Sequence, residues 1–161
     1  MIYPIVAYGN PILKKEAEEI HEGENINELI QDMFTTMDNA SGVGLAAPQI
    51  NKGIRLFVID STLMLDEKNE EKGIRRVFIN PIILDEYGDN YSFEEGCLSI
   101  PDIRAEIIRP EKLTLEYFDE NWNLKEEEFS GMTARVNIAT ASSRLSYRMT
   151  GAGTSSTQPW K

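Results

Sequence analysis

The sequence predicts a single domain that mixes helix and strand, and three observations carry that prediction. An apolar stripe with helical spacing runs through residues 25–39. Runs rich in β-branched and aromatic residues follow at 54–59, 76–84 and 112–118. The chain of 161 residues is long enough to bury one core without disulfides or a structural metal.

Each element has its own signal. Asn10-Pro11 reads as an N-cap followed by proline at the first helical position, opening a short helix through Lys14 to Glu18. In the stripe, Ile26, Leu29, Ile30, Met33, Phe34 and Met37 recur at i, i+3, i+4, i+7, i+8 and i+11. That is one face of a 3.6-residue helix, turned to the core. Gly42-Val43-Gly44 ends the helix and opens a loop, and Pro48 argues against helical structure continuing through Ala47. The acidic stretch 66–72 reads as a solvated loop between two strands. In 112–118, Leu113, Leu115 and Tyr117 share one face, with Thr114, Glu116 and Phe118 on the other. Asp119-Glu120-Asn121 reads as a turn. Ser130-Gly131 opens a last helix, in which Met132, Val136 and Ala139 keep helical spacing. Past Thr150 the residues are small and polar, which divides the chain into a domain at 1–149 and a polar tail at 150–161.

Composition excludes several function classes. Hydrophobic residues make up 41% and charged ones 27%, and no apolar run approaches the roughly 18 residues of a membrane span. Met1 to Ala7 lacks a basic segment followed by an apolar one, so the expected location is the cytoplasm. A net charge of −11 disfavours nucleic acid, whose binding rests on clustered Lys and Arg. The lone Cys97 cannot form an intramolecular disulfide. It is a buried hydrophobe, a reactive thiol or a metal ligand. The charge is uneven: every acidic residue precedes Phe129, while the rest of the chain carries Arg135, Arg144, Arg148 and Lys161 and accumulates Ser and Thr.

Two segments carry chemistry. Gly42-Val-Gly-Leu-Ala-Ala-Pro-Gln49 packs small residues together, which lets another chain approach the backbone closely and pair with it as a strand. It is not a dinucleotide fingerprint, because a helix precedes it and a third glycine is missing. Glu95-Gly-Cys-Leu-Ser99 sets a thiol beside a glycine and backbone N–H groups, which could join a thiolate ligand to an oxyanion donor.

Together the two segments resemble the first two signature motifs of peptide deformylases, metallohydrolases that remove the N-formyl group from nascent bacterial proteins. The likeness extends to Ile5 to Leu13, the striped helix, Phe78-Ile-Asn-Pro81, Ser99-Ile-Pro101 and Gly131-Met-Thr-Ala-Arg-Val136, spanning about residues 1–136. It implies an α+β fold in which antiparallel sheets pack around a C-terminal central helix. It also implies a divalent metal, iron or zinc, ligated by Cys97, with Gln49 donating its amide and Leu98 its backbone N–H to the reacting oxyanion. Val43, Gly44 and Leu45 would line the peptide groove, with Glu95, Gly96 and Arg104 around the cysteine loop. The implied partners are a formyl-Met peptide at the start of a nascent chain and, through it, the ribosome, with no membrane.

The third motif of that family, His-Glu-x-x-His on the last helix, supplies two metal ligands and a general base. Its expected positions here hold Ala139, Thr140 and Ser143. The metal is therefore expected to bind weakly or not at all, and the chain to be inactive. The resemblance stops where the composition changes, which suggests that the last residues come from a shifted reading of the gene. A non-catalytic relative that binds N-terminal peptides is the alternative. A hydrolase with Cys97 as nucleophile would need a base, and the sequence offers only His21.

Overall fold

A computed structural model describes residues 1–65 and 72–141. The order of elements is α1 (Asn27–Asn39), β1 (Gly44–Ala46), β2 (Leu56–Asp60), β3 (Arg75–Cys97), β4 (Ile100–Phe118), β5 (Leu124–Ser130) and α2 (Gly131–Ala141). The five strands form one antiparallel sheet in sequential order, joined by α2 directly after β5. This is the α+β arrangement expected, with the last helix against the sheet.

Alternation along the central strands distributes the core onto two faces. From β2, Phe57 and Ile59 face one side with Phe78, Leu115 and Tyr117, and meet Ala134, Val136, Ile138 and Ala141 of α2. Leu56 and Val58 face the other side with Val77 and Ile79, and meet Ile30, Met33 and Met37 of α1. Strand β2 is buried at every position because both faces are covered. Phe78 stacks on Phe57 at 4.7 Å and tilts against Tyr117 at 4.5 Å. The stripe places α1 as expected, although Leu29 and Phe34 are only partly buried at its margin.

Three expectations change. The first helix shrinks to a 3₁₀ turn at Pro11–Leu13, capped by Asn10 accepting from the Ile12 N–H at 3.1 Å. After it the chain is extended, because Glu18 exchanges backbone hydrogen bonds with Gly53 and Arg55, and Asn80 pairs both the N–H and C=O of Ile20. Gly44 does not sit in a loop but opens β1, paired with Ile59. The striped helix stops at Asn39, before Ala47 as expected, and Ala47–Ile50 form a separate 3₁₀ turn after β1, since proline in a first turn has no intrahelical N–H to lose. The runs at 76–84 and 112–118 are the inner halves of much longer strands, whose outer halves form a hairpin arm. The acidic loop lies mostly outside the described residues, as do the helix beyond Ala141 and the tail at 150–161.

Candidate active site

The 3₁₀ turn after β1 orients Gln49. Its side-chain Oε1 accepts from the Ala46 N–H at 2.9 Å, which fixes the amide so that Nε2 donates to Ser99 Oγ at 3.3 Å and points at Cys97 Sγ, 3.7 Å away. Gln49 and Ser99 are buried, whereas Cys97 is exposed at the end of β3. The N-terminal segment ties both pieces together: Val6 N–H donates to the Gln49 carbonyl at 2.8 Å and Tyr8 N–H to the Ser99 carbonyl at 2.9 Å. Two segments far apart in sequence thus meet at one amide and one thiol.

The glycines of the first segment mark where other side chains reach its backbone. A Cβ on Gly42 would lie 2.6 Å from Leu98 Cδ1, and one on Gly44 would run into the side chain of Thr140. Leu98 and α2 therefore close on the same stretch from two sides. Leu45 is fully buried and turned into the α1 side of the core, while Val43 is partly buried beside α2.

Glu95 does not stand free at the rim. Arg109 grips it with Nε at 2.8 Å and Nη2 at 2.8 Å, and Arg135 of α2 reaches it at 2.6 Å. Gly96 pairs with Arg104, which is exposed and runs along it. Ser99, Arg109 and Arg135 are site residues that sequence reasoning passed over. The signal for Arg135 was a single cation in an otherwise small and apolar helix.

The donors at hand do not suit a divalent transition metal, which wants about three His, Cys or carboxylate ligands. Ala139 presents a methyl group, and Thr140 turns its hydroxyl back to the Val136 carbonyl at 2.8 Å. Ser143 lies outside the described residues. Among the described residues no three of His, Cys, Asp or Glu gather to hold a metal. His21 is exposed ahead of α1.

Residues 2–138 match the family model described as polypeptide deformylase. The chain belongs to the polypeptide deformylase family. The peptide deformylase of Cytophaga hutchinsonii is 54% identical over 137 residues, covering 84% of this chain and 73% of that relative. The peptide deformylase of Flavobacterium psychrophilum is 49% identical over 144 residues, covering 84% and 74%. Among solved structures, the peptide deformylase from Thermotoga maritima superposes with a TM-score of 0.78 at 33% identity, over 90% of this chain and 92% of that one. The deformylase match ends one residue before Ala139, where the divergent stretch of α2 begins. Among the described residues no helix is long and apolar enough to cross a membrane.

Proposed function

We propose that this chain is a deformylase body that receives N-terminal formyl-Met peptides and does not hydrolyse them. The observation that carries the reading is the pairing of an intact amide site with an altered helix. Gln49 is still oriented by Ala46 toward Cys97 and Ser99, while Ala139 and Thr140 stand where ligand and base belong.

A formyl oxygen beside Cys97 would meet the Gln49 Nε2–H and the Leu98 backbone N–H, which are donors suited to a polarised carbonyl. The extended backbone from Val43 to Leu45 offers hydrogen bonds along the peptide. By family resemblance the recognised chain end would be that of a nascent protein, met in the cytoplasm at the ribosome, with Gly96 and Arg104 paired beside the cysteine turn. Nothing at positions 139 and 140 takes a proton from water, and loss of a general base alone typically lowers rates by about 10² to 10⁴. The composition change after Val136 supports a shifted reading frame as the origin of the last residues. A gene with no alternative frame encoding His-Glu-x-x-His would rule that out.

Calorimetry with formyl-Met-Ala, run beside a formate assay, tests the function. Binding without formate release is expected. Absence of binding would remove the peptide-receiving role.

A further inference from the structure

The backbone ladder of the hairpin breaks at the turn that carries Cys97. Gly96 pairs with Arg104, yet the next residue, Cys97, pairs with Ile100, so residues 101–103 are looped out of the β4 ladder. Asp102 within that bulge has a left-handed φ of 64°. A ladder shifted in this way bends the strand and does not set where the turn points.

Side chains hold the segment beside the break: Arg109 of β4 grips Glu95 at 2.8 Å, and a second cation reaches it from α2. Glu95 lies two residues before Cys97, and its carboxylate is held by Arg135 of α2 at 2.6 Å. The same guanidinium donates to the Tyr91 carbonyl on β3 at 2.6 Å and to the Ile107 carbonyl on β4 at 3.0 Å. It also lies 4.3 Å from the Tyr91 ring centre and 5.5 Å from that of Phe93. One cation thus grips both strands of the arm.

A buried ion pair is weak support for stability, and an apolar side chain in its place is often as good. Arg135 is 1% exposed, and its Nε has no hydrogen-bond partner among the described residues. Its geometry is that of a fixed fork spanning three acceptors, which a flexible ammonium would not reproduce.

We propose that Arg135 is a positioning residue: through Glu95 it sets the Gly96–Leu98 turn against Gln49, so that the thiol and the Leu98 N–H face the peptide groove. It rests on the proposed peptide-binding role only where affinity is read, and has a second readout that needs no peptide.

That readout is amide hydrogen exchange at Tyr8, whose N–H is held by the Ser99 carbonyl, against Val6, whose N–H is held by Gln49. Arg135→Met and Glu95→Gln should each speed Tyr8 exchange on the order of tenfold relative to Val6, and the double variant should add little, as for residues acting as one unit. Arg135→Lys, which keeps charge and stem if the Met variant fails to fold, should also release Tyr8. Ile138→Val, a core truncation in the same helix, should leave the ratio unchanged. The affinity for formyl-Met-Ala should fall in parallel in the Arg135 and Glu95 variants. If Tyr8 and Val6 change together in every variant, Arg135 merely supports the fold and the proposal is overturned. If the unaltered chain fails to bind the peptide while the exchange ratio responds, the binding role falls and the positioning role stands.

Discussion

Thr140 of α2 lies against the backbone of Gly44 in β1, in the space that a Cβ on that glycine would occupy. The helix therefore docks flush on the edge strand at the position where the family resemblance places a glutamate. The threonine hydroxyl donates to the Val136 carbonyl at 2.8 Å.

Gly44→Ala should destabilise the protein by about 1–3 kcal/mol, the usual scale of overpacking. Thr140→Ala in the same chain should recover part of that loss, because it removes the hydroxyl and methyl nearest the new carbon. Urea unfolding of the single and double variants checks both effects.

Asn137 is fully buried in α2, and among the described residues neither its Nδ2 nor its Oδ1 has a hydrogen-bond partner. Unsatisfied polar groups of this kind cost about 1–3 kcal/mol, and alanine is also the better helix former. Asn137→Ala should therefore raise the thermal midpoint, as read by calorimetry. A lower midpoint would mean that the amide has a partner in the folded protein.

Much of this fold can be read in the chain, for reasons that differ by element. The stripe from Ile26 to Met37 marks α1 because a helix packed on one face must repeat its apolar residues at 3.6-residue spacing. Leu113, Leu115 and Tyr117 mark a strand because burial alternates. The outer arm of β3 has no such signal: most of its residues past Tyr87 are exposed, so polar side chains are tolerated and nothing alternates. Gln49 and Cys97, each in a segment that stands out in the sequence, lie 3.7 Å apart in the fold. The grip of Arg109 and Arg135 on Glu95 spans 14 and 40 residues, and such pairings emerge only once strand register is known.

Alkaline stability should depend on Tyr117. Its burial, with its hydroxyl donating to Glu127 at 2.7 Å, pushes the phenol up to about 12. In the unfolded chain an ordinary tyrosine loses its proton near pH 10. The raised value favours the folded protein fully below about pH 10, and that contribution is lost as the pH climbs toward about 12. Tyr117→Phe should be less stable at neutral pH but show a flatter decline over this window in urea melts. An unchanged slope would contradict the assignment.

The most direct test is metal content measured together with deformylation of formyl-Met-Ala by the purified chain, repeated with Cys97→Ser. The account predicts no stoichiometric metal and no formate from either protein, because the residues at 139, 140 and 143 are Ala, Thr and Ser. One equivalent of metal, with turnover that Cys97→Ser abolishes, would contradict it and require metal ligands elsewhere in the chain.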